Sequence, residues 1–434
     1  KILRFARCAI AVGTMRDKAY VNLGGVSMGI AGSYIDAKFF AKYLGIRAEW
    51  LDLTEILRRM HLKIYDETEY IKALTWVKAN CPEGDDNNSP ELIHSPDKKK
   101  EDWEFTVKMA VIIRDIMLGN PKLAEMGYYE ESCGKNAIAA GFQGQRAWTD
   151  WLPNGDFAEA ILNSGFDWNG KRQPLILATE NDTCNAVAML FENLLTQRSP
   201  VFADVRTYWS PDAVKRVTGY TLQGQACGGF IHLINSGAAA LDATGAQKDQ
   251  DGRSVMKQWW NLTQEDISAC LKATRWAPAA LKFFRGGGFS SQFSTMAEMP
   301  VTMARLNIVD GVGPTLQIAE GHTVVLPPEV DRKLLDRTDP TWPSTWFVPK
   351  ITGEGAFADV YTVMARWGAN HCSFCYGHVG EDLITLASML RIPVVMHNVK
   401  PEKVFIPHSW PSFASNSIDS SIFNACKESG PLYN

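Results

Sequence analysis

The hydrophobic pattern changes texture near position 200. Up to Gln197, short apolar runs alternate with stretches of helical period. The run "RCAIAVGT" (Arg7 to Thr14) predicts a short strand, and Gly24, Gly25, Gly29 and Gly32 predict a glycine-rich turn ahead of a helix. The stretch from Pro82 to Asp102 is polar, with prolines and both charge signs. It predicts an exposed loop, with Lys98, Lys99 and Lys100 as a solvated face. "QPLILATE" predicts a buried strand that stops at Glu180. Behind it Val187, Leu190, Phe191, Leu194 and Leu195 share one face of a helix, which Asn181, Asp182 or Thr183 would cap. Glu180 is therefore expected at the carboxyl end of a strand, where open α/β sheets place their ligands.

Beyond Gln197, short alternating runs are separated by Gly, Pro and Asp. "VTMARLNIV", "DGVGP" and "TLQIAEGHTVVL" predict a hairpin, and "EDLITLASML" predicts a late helix with Leu383, Leu386, Ala387 and Leu390 on one face. The change begins at Ser199-Pro200, because the residue before a proline is biased away from helix. The expected organisation is an α/β domain over residues 1–197 and a β-rich, mainly antiparallel domain over residues 198–434.

Composition narrows the function. The chain has 434 residues and 46% hydrophobic content, enough for two or three buried cores. A net charge of -4 argues against nucleic acid or an anionic membrane as the main partner. The nine cysteines are odd in number and scattered, apart from Cys372 and Cys375, so a reducing cytoplasm fits better than a disulfide scaffold. The chain opens at Lys1, in what reads as the interior of a domain, so an N-terminal segment is expected to be missing.

Three stretches carry candidate chemistry: "ATEND" with Glu180, "VFADVRTYW" (Val201 to Trp209) and "WGANHCSFCYGHVG" (Trp367 to Gly380). In the second, alternation puts Val201, Ala203 and Val205 on one face and Phe202, Asp204 and Arg206 on the other. A carboxylate amid an apolar strand needs a partner; Arg206 is one and a metal ion is another. Glu180, Asp204 and His371 together suit a hard or borderline divalent ion such as Mn²⁺ or Mg²⁺. Against this, Glu180 also fits a helix N-terminus, and His371 a satisfied buried histidine. A zinc site at His371, Cys372, Cys375 and His378 is a rival, crowded into one short stretch, and a redox role for the C-x-x-C pair is another. "FFRGGGFSSQF" (Phe283 to Phe293) lacks a Walker lysine and reads as a sharp turn or a substrate-facing loop.

Taken in order, "AIAAGFQGQRAWTDWLPNGDFAEAILNSGFDWNG", "ATENDTCNAVAML", "VFADVRTYWSPDAV", "LINSGAAALD", "FRGGGFSSQF", "LQIAEGHTVVLP", "STWFVPK", "WGANH" and "LASMLRIPVVMHN" closely resemble the L-fucose isomerase family over nearly the whole chain. The resemblance implies a Rossmann-like first domain and an aldose–ketose isomerase. That enzyme interconverts L-fucose and L-fuculose, and D-arabinose and D-ribulose, through an ene-diol. It implies Mn²⁺ held by Glu180, Asp204 and His371; moving a carbonyl from C1 to C2 also needs a proton shuttle, for which Glu180 and Asp204 are the candidate catalytic base and acid, in either order. It maps a substrate pocket onto Met28, Gln143, Ser236, Trp342 and Asn370. It further implies a cytoplasmic homo-hexamer, and an additional N-terminal α/β domain that this sequence lacks. A catalytically impaired or merely sugar-binding fragment is the alternative that this lack raises.

Overall fold

The computed structural model describes every residue except Ser236, Ala297, Ser415 and Asn434. Helix α1 (Ile2–Met15) takes up the Arg7–Thr14 run in place of the expected strand. Cys8, Ala11 and Met15, three and four residues apart, form its buried face, a period that a dense apolar run hides. The strand, turn and helix order survives further along the chain. Strand β1 (Ala19–Leu23) is buried throughout and runs into Gly24 and Gly25.

Strand β2 (Arg47–Leu51) follows, and then helix α2 (Pro96–Leu118). The loop expected over Pro82–Asp102 therefore ends at Ser95. The Ser95 side chain accepts from the Lys98 N–H, and Pro96 supplies a preset φ in the first turn. The three lysines belong to this helix, with Lys98 2.9 Å from Asp102 and Lys99 2.8 Å from Asp86.

Strand β3 (Ala137–Phe142), helix α3 (Asp156–Asn163), strand β4 (Ile176–Ala178) and helix α4 (Thr183–Thr196) complete the first unit. Its four strands lie in the order β2-β1-β3-β4, and all pairs are parallel. Val21 and Leu23 face a core built with α2 and α3, and Tyr20 faces a core built with α1 and α4. Every residue of α4 is buried, because its other side is covered by the second unit.

That second unit is a closed sheet. Its strands are β5 (Val201–Trp209) and β6 (Phe230–Ile234), then, after a separate antiparallel pair β7 (Arg275–Pro278) and β8 (Phe289–Gln292), the expected hairpin β9 (Pro300–Val309) and β10 (Gly313–Val324). It continues with β11 (Ser344–Pro349), β12 (His371–Tyr376), helix α5 (Gly380–Met389) and β13 (Val394–Met396). The strand order is β9-β12-β5-β6-β11-β10-β13, and β9 also pairs with β10. That last pairing closes an antiparallel barrel, and β13 joins outside it in parallel. Val201, Ala203, Ile231, Val301, Phe347 and Phe374 fill the interior. Phe202, Ala304 and Leu306 point outward, into the core shared with α4. The molecule is thus an α/β unit followed by a β-rich, mainly antiparallel one, as the pattern predicts. Among the described residues, no helix is long and apolar enough to cross a membrane.

Candidate active site

The site lies on the seam between the two units. His371 is directly opposite Asp204 in the antiparallel pair β12–β5, so both side chains leave the same face. Phe202, also outward on β5, packs against the His371 ring at a tilt of 59°, with the ring centroids 4.8 Å apart. The alternation expected along β5 holds through Arg206, with Val205 against the barrel interior and Arg206 beside Asp204 on the cavity, and the register then shifts in a bulge between Val205 and Thr207.

Glu180 comes from the other unit, two residues past the end of β4. Its φ is 53° and that of Asn181 is 49°, a left-handed conformation that non-glycine residues adopt only when their surroundings hold it. The Ser33 hydroxyl donates to the Glu180 carbonyl at 2.8 Å, and the Tyr20 hydroxyl donates to Asn181 Oδ1 at 3.0 Å. Asn181 Nδ2 donates to Asn22 and to the Gly25 carbonyl. This turn points the Glu180 side chain across the seam.

His371 Nε2 is 3.2 Å from Asp204 Oδ1 and 3.5 Å from Glu180 Oε2. Asp204 Oδ2 meets Arg206 Nη2 at 2.8 Å, so Asp204 has the Arg206 partner that its sequence allowed. Behind the ring, His371 Nδ1 is 2.7 Å from Asp182 Oδ2. Burial opposes a charge on His371, but hydrogen bonds to Asp182 and Asp204 outweigh it and push the imidazole up to about 10. Burial, with Asp204 and Asp182 nearby, pushes Glu180 up to about 7 against the pull of His371 and Arg206.

These donors fit a divalent cation in kind. Two carboxylates and one imidazole converge from one side, and neighbouring ligand atoms around a small octahedral cation lie about 3 Å apart. Among the described residues, no group of three or more His, Cys, Asp and Glu side chains is arranged to hold a metal ion as it stands. The trio instead closes on itself through His371 Nε2.

A cavity of about 650 Å³ opens onto the trio. Met28, Trp342 and Asn370 line it, together with Glu180, Asp204 and His371. Gln143 does not line it. Its side chain accepts from the Gly25 N–H at 2.7 Å and donates to the Val26 carbonyl, so it braces the turn that carries Met28. Ser236 lies outside the described residues. Sequence reasoning missed Arg206, Phe283, Phe284, Arg337 and Asp339 as lining residues. Phe284 and Trp342 meet edge to face at 6.2 Å, with the Arg206 guanidinium 5.8 Å from the Trp342 ring. Nothing in local spacing announces these residues, although "FFRGGG" as a substrate-facing loop comes nearest.

The rival sites dissolve. Cys372 and Cys375 stand three apart on strand β12 and so leave opposite faces. Burial pushes both thiols well above their ordinary range, and the His378 ring is bonded to the Gly321 carbonyl at 2.8 Å. Three of the glycines serve close packing. A Cβ at Gly24 would collide with Gln143, one at Gly32 with Asp182, and one at Gly286 with the Leu152 backbone.

Comparison with known proteins bears on both units. Residues 18–197 match the family described as L-fucose isomerase, second N-terminal domain, and residues 233–397 match L-fucose isomerase, C-terminal domain. The chain is 59% identical to the L-fucose isomerase of Bacteroides thetaiotaomicron, with 100% of this chain and 74% of the relative covered. The L-fucose isomerases of Clostridium perfringens and Vibrio vulnificus are each 57% identical, with 100% of this chain and 74% and 73% of those proteins covered. With both units matched to one family and identity above half along its whole length, this chain belongs to the L-fucose isomerase family of enzymes.

Proposed function

We propose that this chain is a Mn²⁺-dependent aldose–ketose isomerase that interconverts L-fucose and L-fuculose, and D-arabinose and D-ribulose, through an ene-diol. The observation that carries the reading is the meeting of Glu180, Asp204 and His371, from two units, on one cavity. These three would hold the ion, which when bound supplies a Lewis acid for the sugar oxygens. The protein's own groups handle the proton. One carboxylate of the Glu180–Asp204 pair takes the C2 proton of the aldose. O1 gains a proton as the ene-diol forms; the ene-diol then gains a proton at C1 and gives up its O2 proton, so the carbonyl moves from C1 to C2. Asn370, Arg337 and Asp339 offer polar partners to the hydroxyls, and Phe283, Phe284, Trp342 and Ile234 offer an apolar wall for the methyl of a 6-deoxy sugar. We extend the reading to a cytoplasmic homo-hexamer. All nine cysteines are free, which suits a reducing compartment, and light scattering tests the assembly.

The test is ketose formation from L-fucose with added Mn²⁺ and again after chelation. Product that appears with the ion and stops on chelation supports the reading. Equal product in both conditions removes the metal from it, and no product in either favours a sugar-binding fragment.

A further inference from the structure

Asp182 has no contact with the 650 Å³ cavity and is not among its lining residues, yet it holds three elements at one carboxylate. Its side chain is fully buried. Oδ1 accepts from the Asn185 N–H at 2.9 Å and caps α4. Oδ2 takes His371 Nδ1 from β12 at 2.7 Å and Arg305 Nη1 from β9 at 2.7 Å. The Arg305 side chain is 4% exposed, and its Nε reaches Asn307 Oδ1 at 3.3 Å. Gly32 lies so close over the carboxylate that no Cβ fits there.

An ionised carboxylate can only accept. Between Arg305 and the α4 N-terminus, Asp182 is surrounded by donors, so the hydrogen on this side of His371 must sit on Nδ1. That leaves Nε2 as the nitrogen turned toward Asp204 and Glu180. The ring cannot turn about its axis without giving up the Asp182 bond inside a buried seam.

We infer that Asp182, held in place by Arg305, is a positioning residue that fixes Nε2 of His371 as the ligating nitrogen and so sets the affinity of the site for a divalent cation. The inference rests on the proposed reading of Glu180, Asp204 and His371 as ligands. Its action is indirect, through the imidazole, and reaches no substrate atom. A hydrogen-bonded carboxylate behind a ligating imidazole commonly changes metal affinity about 10- to 100-fold.

The experiment is a Mn²⁺ titration, followed by calorimetry and by the spin resonance of the free ion, on the full chain and on Asp182→Asn, Arg305→Met and the double variant. Urea unfolding of each is measured in parallel. Each single variant strands one buried charge, so both are expected to lower the unfolding midpoint. The double variant removes the pair together and is expected to recover much of that loss. Mn²⁺ affinity should fall by roughly 10- to 100-fold in Asp182→Asn and stay low in the double variant. Recovery of native Mn²⁺ affinity along with stability would overturn the inference, since the pair would then be structural only. Native chain that binds Mn²⁺ alongside an Asp182→Asn variant that binds it equally well also overturns the inference alone. Native chain that takes up no Mn²⁺ overturns the ligand reading, and this inference with it.

Discussion

Glu180 occupies a left-handed turn because four polar neighbours, Ser33, Tyr20, Asn22 and Gly25, hold it and Asn181 there. Its replacement by Gln keeps the shape and removes one of the two carboxylates proposed to move the proton. Glu180→Gln is expected to lower turnover by roughly 10²- to 10⁴-fold with an unchanged circular dichroism spectrum, and near-native turnover would remove Glu180 from the chemistry. Asp156, the first residue of α3, is buried and accepts from the Ser290 hydroxyl at 2.7 Å. Burial pushes its carboxyl up to about 8. In the folded chain it is therefore neutral over a range in which the unfolded chain is ionised, and folding takes up a proton. Its contribution to stability is complete below the ordinary carboxyl range and drains away as pH climbs to about 8. Between about pH 5 and about pH 7.5, the native protein should lose on the order of 3 kcal/mol relative to Asp156→Asn, read from urea unfolding. Parallel pH profiles for the two proteins would contradict this assignment.

At the scale of elements, the polar excursion before α2 acts as a strap. Asn88 Nδ2 donates to the Ala279 carbonyl at 3.0 Å, and its Oδ1 accepts from the Leu281 N–H at 2.7 Å. The Gly84 N–H donates to the Trp276 carbonyl, and the Trp276 N–H to that of Pro82. The strapped segment leads into Phe283 and Phe284, which line the cavity. Asn88→Ala is expected to raise KM for L-fucose severalfold while kcat and Mn²⁺ binding hold. A fall in kcat with KM unchanged would show that the strap does not act through the apolar wall. The sequence marked this segment as polar and irregular but gave no hint of its partners, because they lie about 190 residues away. The same limit explains α1. A dense apolar run fits either period, and its packing against α4 and α5 selects the helix.

For the whole molecule, α4 is the shared core. It is buried on all sides, with the parallel sheet against one flank and β9 and β12 of the barrel against the other. The Arg305–Asp182 pair and the Asn185 bond to the Cys372 carbonyl, at 2.9 Å, cross the same seam. The two units should therefore unfold together. Tryptophan fluorescence and far-ultraviolet circular dichroism are expected to give one coincident urea transition, and two separated transitions would show that the units are independently stable.

Local pattern was enough to predict the acid at the end of β4, a cap among Asn181, Asp182 and Thr183, the hairpin over "VTMARLNIV" and "TLQIAEGHTVVL" and the change of texture after Gln197. Each of these depends on residues within a few turns of one another, where side-chain period and turn chemistry act directly. The closure of the barrel, the pairing of His371 opposite Asp204, the redirection of Gln143 to the Gly25 turn and the roles of Arg305, Phe284 and Asn88 were decided only in three dimensions. Those contacts join residues tens to hundreds of positions apart, and what selects them is burial: each polar group must find a partner inside a seam that only the folded chain creates.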